Sequence, residues 1–326
     1  MPEPAARNPR AEAQTLLPDG FEARVLEPSP PAVHDDDYFA DDPTDPSGAA
    51  PGVVVVGPTS DADVTWDVYA AEHLEVAGYA ADHWLGAYER LRPLPSDFAS
   101  VRDDLHQVAF FAVAPARHAV NGKIALRYTF GGFGTPFFGD DVQARVVGVD
   151  LVVQEGDAVR SERITTVRAA AEFLGVDYEE VWFPDFHDPL APTDPDRPLQ
   201  ASETAVAALA DWFGFACSVL EEARRSAGSV QVSRVQLWPE HFDLAFEMGD
   251  YEAGRRASYG ASPGDGTHPE PYLYVAAWSE VDRSNPYWND TSFNGAALPY
   301  RVLLAADDPR RTALDFFRRG FEVLHS

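Results

Sequence analysis

The hydrophobic and polar positions of the chain follow two periods, and each period predicts one kind of element. Apolar residues recur every three or four positions over long segments, which predicts helices at 63–92, 96–114, 165–174, 202–226 and 309–324. Shorter apolar runs, bounded by glycine and proline, predict strands at 53–56, 123–130, 233–238, 242–247, 256–260 and 272–278. A hairpin is expected over 143–154, with its turn near Val149 and Asp150.

The order of these elements indicates the fold class. A helix, several strands with short connections and a second helix follow one another in each half of the chain. A doubly wound parallel sheet requires strands that alternate with helices, and the sequence does not show that alternation. We therefore expect an α+β fold with antiparallel sheets flanked by helices. The shared order also raises the hypothesis of two pseudo-repeated helix–strands–helix halves, although residue identity between the halves is weak.

Proline and aspartate mark the divisions of the chain. Residues 1–50 combine prolines with an excess of acidic side chains, which is typical of a solvated N-terminal arm. Residues 184–199 are rich in proline and aspartate and predict an extended linker. The remaining residues form a first α+β half at 51–183 and a second at 200–326.

Charge and composition exclude several classes of function. The 326-residue chain carries 25 basic and 53 acidic side chains, a formal net charge of -28. Such a surface repels phosphates, so we expect no nucleic-acid partner and no anionic membrane. Cys217 is the single cysteine, which excludes an internal disulfide and a thiolate zinc cluster. The longest apolar run is far shorter than the roughly 20 residues of a membrane span, and the first ten residues lack the apolar core of a secretory signal. We therefore expect a cytoplasmic protein.

The densest group of histidine, carboxylate and aromatic side chains lies over 238–243 and 258–270. Imidazole titrates near neutral pH and a carboxylate can orient it, so the pair suits acid–base catalysis or a divalent metal such as Zn²⁺, Mn²⁺ or Fe²⁺. Two residues spaced like His241 and Asp243 share one face of a strand. The candidate catalytic residues are His241, Asp243, His268 and Glu270, of which His241, Asp243 and His268 are also the candidate metal ligands. The candidate ligand-binding residues are Trp238, Tyr259, Asp265, Tyr272 and Trp288.

Turn chemistry offers an alternative interpretation of these residues. The Ser-Pro-Gly-Asp-Gly sequence at 262–266 is typical of a turn, and it would place His268 in a surface loop. The sequence contains no H-E-x-x-H metal motif. Two further groups could hold a cation or be solvated loops: Asp140 with Asp141, after a glycine-rich turn at 131–136, and Asp185 with His187 and Asp188 in the linker.

Three groups of short motifs follow one another between about residue 100 and the end of the chain. They comprise 105–115 with 135–140 and the hairpin after it, 235–238 with 242–245, and 269–275 with 298–300. In order and spacing they resemble an uncharacterised bacterial family, a domain of unknown function associated with actinobacteria. The resemblance implies a one-piece α+β body and carries over no catalytic residue.

Three hypotheses of function follow from these patterns. The first is a protein that binds a small molecule in a pocket of the second half, between the His241 and His268 segments. The second is an enzyme that uses the same residues, with a divalent metal, for hydrolytic or acid–base chemistry. The third is a structural or interaction protein that docks through the acidic arm at 1–50.

Overall fold

In the computed structural model, the described residues are 22–25, 53–56, 64–65, 91–129, 132–136, 138, 142–155, 158–183, 186, 189–200, 202–226, 232–233 and 235–326. The predicted arm lies outside the described residues except for strand β1, Glu22–Val25, and most of the predicted helix at 63–92 also lies outside them. β1 pairs antiparallel with β2, Val53–Val56, which pairs with β3, Val64–Thr65. The two further groups of candidate cation ligands also lie outside the described residues; they are Asp140 with Asp141, and Asp185 with His187 and Asp188.

The first half begins with one long helical segment. Helix α1, Phe98–Val108, continues through a π-helical turn, Ala109–Val113, into helix α2, Ala114–Asn121. Gly122 ends α2 in the left-handed conformation, with φ 71°, where glycine is favoured. Five strands follow, and helix α3 closes the half. They are β4 (Arg127–Thr129), β5 (Gly132–Gly134), β6 (Val142–Val147), β7 (Asp150–Glu155), β8 (Ala158–Arg163) and α3 (Val167–Leu174).

The second half has the same order of elements. Helix α4, Glu203–Ser226, precedes five strands and two closing helices. They are β9 (Gln236–Trp238), β10 (Asp243–Met248), β11 (Ala257–Ser262), β12 (Tyr272–Ala277), β13 (Gly295–Pro299), α5 (Tyr300–Leu304) and α6 (Pro309–His325).

Each half forms a five-stranded antiparallel meander, with orders β4-β5-β6-β7-β8 and β13-β12-β11-β10-β9. The two sheets meet where Leu126 pairs with Leu237. Each of these residues donates its N–H to the carbonyl oxygen of the other, at 2.8 Å in both directions. The predicted α+β fold with antiparallel sheets is therefore confirmed.

Helix α4 packs against both sheets. Three rings meet edge to face there: Phe213 of α4, Phe133 of β5 and Phe242 in the turn before β10, with centroids 4.9 to 6.3 Å apart. By length and composition α4 is the one helix among the described residues that could cross a membrane, yet 72% of its apolar window is buried inside the protein. Such burial is typical of a core helix, and α4 contributes to the core of both halves.

The glycine-rich segment differs from its prediction as a turn, because Gly132–Gly134 is strand β5. A Cβ atom on Gly132 would lie 2.2 Å from the carbonyl oxygen of Val146, and one on Gly134 would lie 2.5 Å from that of Ala144. Only glycine therefore permits β5 to approach β6 so closely. Strands β8 and β13 were not predicted, and the strand predicted at 123–130 is confined to Arg127–Thr129.

The described part of the predicted linker packs on helix α1. Asp104 of α1 accepts hydrogen bonds from the backbone N–H of Gln200, at 2.6 Å, and from the guanidinium of Arg197. Because Asp104 is buried, these bonds compensate its charge and hold the crossing segment against the first half.

Candidate functional site

Six polar side chains lie together on and beside the face of the second sheet that is opposite helix α4. We call them the Asp243 cluster: Asp243, Asp265, His268, Tyr272, Tyr274 and Asp290. Successive residues of a strand alternate between faces, and Leu273 and Val275 belong to the hydrophobic core. Tyr272 and Tyr274 therefore lie on the other face.

The strand register places Tyr274 across β11. Gly260 is its partner in the neighbouring strand, and a Cβ atom on Gly260 would lie 2.3 Å from Cζ of Tyr274. With no side chain there, the tyrosine ring occupies the space and its hydroxyl donates a hydrogen bond to Oδ2 of Asp243. A glycine thus allows two non-adjacent strands to form the centre of the cluster.

Burial dominates the electrostatics of Asp243. It raises the pKa of the carboxyl group, the nearby Asp265 charge raises this pKa further, and the Tyr274 hydrogen bond and His241 act in the opposite direction. Burial also raises the pKa of Glu240, in the turn before β10. Oδ1 of Asp243 and Oε2 of Glu240 are both buried and have no hydrogen-bond partner. These two carboxyl groups therefore favour a proton or a donor from outside the chain.

Asp265 organises the loop between β11 and β12. Its Oδ1 accepts the backbone N–H groups of Thr267, at 2.6 Å, and His268, at 2.7 Å, and its Oδ2 accepts the hydroxyl of Tyr272 at 2.8 Å. Burial raises the pKa of Asp265, but these hydrogen bonds outweigh it and hold the pKa below its ordinary value. Asp265 is therefore a stable carboxylate at neutral pH.

His268 connects this loop to the segment before β13. Its Nε2 lies 2.9 Å from Oδ2 of Asp290, and its Nδ1 lies 3.8 Å from Oδ1 of Asp265. The ring packs on Tyr272 with centroids 4.5 Å apart. Asp290 is itself fixed, because its Oδ1 accepts the backbone N–H and the hydroxyl of Ser292. His268 is thus an oriented imidazole between two carboxylates.

Two side chains of α1 support the cluster from the first half. Nη1 of Arg102 donates to the carbonyl oxygens of Pro263, at 3.5 Å, and Pro269, at 3.1 Å, at the two ends of the Asp265 loop. Nε2 of His106 is 2.8 Å from the carbonyl oxygen of Pro239, next to Glu240. Burial lowers the pKa of His106 to about 4, so the ring is neutral at pH 7.

The structure brings some of the predicted site residues together and separates others. Asp243, Asp265, His268 and Tyr272 belong to the cluster, and Trp238 is the β9 partner of Asp243 in the strand register. His241 is exposed in the turn beside Asp243, and Glu270 is exposed in the loop. Tyr259 faces the core, stacked on Phe246, and Trp288 is also buried in the core.

Sequence reasoning missed Tyr274, Asp290 and Glu240. Tyr274 carried a usable signal, because Tyr272 and Tyr274 are two positions apart and share a strand face. Asp290 had no such signal, since 22 residues separate it from His268 and only the folded chain joins them.

The cluster is a hydrogen-bonding and electrostatic site. No group of three or more His, Cys, Asp or Glu side chains in the described part of the chain is arranged to hold a metal ion. No family model matches the chain, and neither the curated proteins nor the solved structures contain a match. The resemblance to an actinobacterial family therefore stays a prediction, and the chemistry of the site carries the functional argument.

Proposed function

We propose that this protein binds a small cationic molecule at the Asp243 cluster, as a soluble cytoplasmic protein that takes neither nucleic acid nor membrane as a partner. One observation carries the proposal: Oδ1 of Asp243 and Oε2 of Glu240 are buried carboxyl oxygens with no hydrogen-bond partner. Leaving such oxygens unsatisfied costs about 1–3 kcal/mol each, and an ammonium group would satisfy them.

The surroundings of Asp243 support a cation rather than an anion. Asp265 and Asp290 have lowered pKa values: burial raises both, but the hydrogen bonds that each accepts outweigh it, so both are ionised at neutral pH. The rings of Tyr274 and Phe293, with centroids 6.1 Å apart, add aromatic faces beside these carboxylates. Aromatic faces attract ammonium groups, and the site therefore favours a molecule that carries an ammonium group on a compact apolar body.

Benzylamine and benzyl alcohol form a matched pair of probes for this proposal. They have the same shape, and only the amine is charged at pH 7.5. Isothermal titration calorimetry is expected to show saturable binding of benzylamine alone. The variant Asp243→Asn should weaken that binding at least tenfold, while Asp307→Asn, which removes a carboxylate at an exposed position, should leave it unchanged. Equal binding of the two probes, or equal losses in the two variants, would overturn the proposal.

Acid–base catalysis is a second candidate function, and the pairing of His268 with Asp290 favours it. A carboxylate at 2.9 Å fixes the imidazole, as is required of a general base. The metal-dependent form of this hypothesis has no ligand set among the described residues. Elemental analysis of protein purified without metal-affinity resin tests that form directly: a near-stoichiometric transition metal would replace the cation-binding proposal with a metalloenzyme.

A further inference from the structure

A cavity lies on the face of the same sheet opposite the Asp243 cluster, between helices α4 and α6. Its volume is about 340 Å³. The strands β10 and β11 form its floor. Its apolar lining consists of Ala223, Phe246, Met248, Tyr259, Leu314, Phe317 and Phe321. Ligand sites in proteins are commonly concave, mostly apolar and at least about 300 Å³ in volume, so this cavity has the size of a small-molecule site.

Tyr259 is the unusual member of this lining. Its ring stacks on Phe246 at 5.3 Å and is 1% exposed, and its hydroxyl is buried with no hydrogen-bond partner. Buried tyrosine hydroxyls usually have a partner. Phenylalanine would fill the same space without the unsatisfied group, so the hydroxyl adds nothing to the packing of the free protein.

Water is a poor occupant for this cavity. A buried water requires two to four polar partners, and beside Tyr259, away from the charged side chains at the rim, the apolar lining offers it one hydroxyl. A cavity roughly half this size, lined by apolar side chains, is known to stay dry and to accept benzene. The lining therefore favours an apolar molecule.

The charged side chains at the rim indicate that the molecule is neutral. Glu222, Asp315, Arg318 and Glu322 complete the lining. Arg318 pairs with Asp315 at 2.8 Å and with Glu322 at 3.1 Å, and Glu222 pairs with Arg310. Because these charges compensate one another, none of them requires an ionic group on the ligand.

We infer that this cavity binds a neutral, largely apolar molecule carrying one hydrogen-bond acceptor, such as an aryl or alkyl ketone, whose oxygen accepts the hydrogen bond of the Tyr259 hydroxyl. The site is separate from the Asp243 cluster, since Tyr259 and the cluster lie on opposite faces of the sheet. The inference therefore stands or fails independently of the proposed function.

Two naphthalenes test the inference. 2-Acetylnaphthalene carries a carbonyl acceptor, and 2-isopropenylnaphthalene has a CH₂ group in place of that oxygen. Equilibrium dialysis against the full chain gives a Kd for each. We expect both to bind at one site per chain. In Tyr259→Phe, the ratio of the two Kd values should shift about fivefold against the ketone, because one net hydrogen bond is lost. Tyr300→Phe is the matched control: its hydroxyl donates to the Arg92 carbonyl at 2.8 Å, outside the cavity lining, and the ratio should stay unchanged.

Filling the cavity provides a test that does not depend on the hydroxyl. Leu314→Trp places an indole in the cavity and should weaken the binding of both compounds at least tenfold. Leu324→Trp adds the same ring to the same helix at a position outside the lining and should leave binding intact. Circular dichroism verifies that all variants are folded. Binding that survives Leu314→Trp, or the absence of saturable binding to the wild type, overturns the site. An unchanged ratio in Tyr259→Phe overturns the assigned acceptor.

Discussion

Replacing Asp243 with asparagine is expected to stabilise the protein while it weakens the proposed cation binding. Asp243 is buried, one of its oxygens has no partner, and burial raises its pKa. Asparagine keeps the shape and an oxygen that can accept the Tyr274 hydroxyl, but it carries no charge. The amide nitrogen takes the place of the unpartnered oxygen, so the gain comes from removing the buried charge: the free energy of unfolding at pH 8 should rise by about 1.4 kcal/mol for each pH unit between the ordinary and the folded pKa. For a chain of this size, each kcal/mol corresponds to a rise in Tm of about 1.5 °C.

The pH dependence identifies the cause of this stabilisation. The folded protein binds the Asp243 proton more tightly than the unfolded chain does, so the contribution of Asp243 to the free energy of unfolding falls as pH rises above about 4, the ordinary pKa of aspartate. The slope is at most about 1.4 kcal/mol per pH unit, and it ends where the folded pKa is passed. The advantage of Asp243→Asn should therefore be smaller at pH 5, where at most about 1.4 kcal/mol of it is present, than at pH 8.

Asp290→Asn is the matched control, with the opposite sign. Burial raises the pKa of Asp290, but the hydrogen bonds from Ser292 and His268 outweigh it and the pKa lies below its ordinary value. Its stabilising contribution is thus present above pH 4 and is lost as the pH falls through the folded pKa. We expect Asp290→Asn to lower the free energy of unfolding by about 1 kcal/mol at pH 8. Urea unfolding of the three proteins at pH 5 and pH 8 measures all these values. An Asp243→Asn protein less stable than the wild type at pH 8 would refute the reasoning.

Three further predictions follow from other parts of the structure. Gly260→Ala should displace Tyr274 and destabilise the protein by about 1–3 kcal/mol, whereas Gly266→Ala, whose Cβ meets nothing within 4 Å, should be neutral in thermal unfolding. His106→Phe should reduce the pH dependence of stability between pH 4 and 6.5. Because burial lowers the pKa of His106 to about 4, this residue lowers the free energy of unfolding of the wild type by up to about 3 kcal/mol as the pH falls through this window. A urea midpoint that depends on pH equally in both proteins would contradict this. Arg145→Met should lower the free energy of unfolding by about 1–3 kcal/mol, because Nη1 of this buried guanidinium donates to Oε1 of Gln143, at 2.9 Å, and of Gln154, at 3.0 Å, and both buried acceptors would lose that donor; an unchanged Tm would contradict this.

The sequence predicted the elements that have regular periods. The hairpin of β6 and β7 consists of two valine-rich runs around a short turn, and the helices α4 and α6 have long apolar stripes. The sequence did not predict β5 and β13, because Gly132–Gly134 and Gly295–Pro299 are short, contain glycine or proline at both ends and have no β-branched residue. Their strand conformation depends on the neighbouring strands, which is information outside the local sequence.

The local sequence likewise determined only part of the candidate site. The concentration of histidine and carboxylate near 238–270 includes Asp243, Asp265 and His268, which the fold brings into one cluster. It did not determine which residues meet, because the meeting of Asp243 with Tyr274 depends on the register of three strands and on a glycine between them. It also did not separate Tyr259 from Tyr272, which are in neighbouring strands and lie on opposite faces of the sheet.

The pairing of Leu126 with Leu237 affects how the chain avoids aggregation. Unpaired strand edges are templates on which other chains assemble, and at this junction Leu126 and Leu237 pair across the facing edges of the two sheets. The ring of Phe213 likewise lies against Phe133 of the first sheet. A fragment comprising residues 200–326 would present an open β9 edge beside an uncovered aromatic face, and such a fragment should aggregate when it is produced alone. When both halves belong to one chain, the edge of each sheet meets the edge of the other at this junction. We expect this contact to reduce aggregation of both halves.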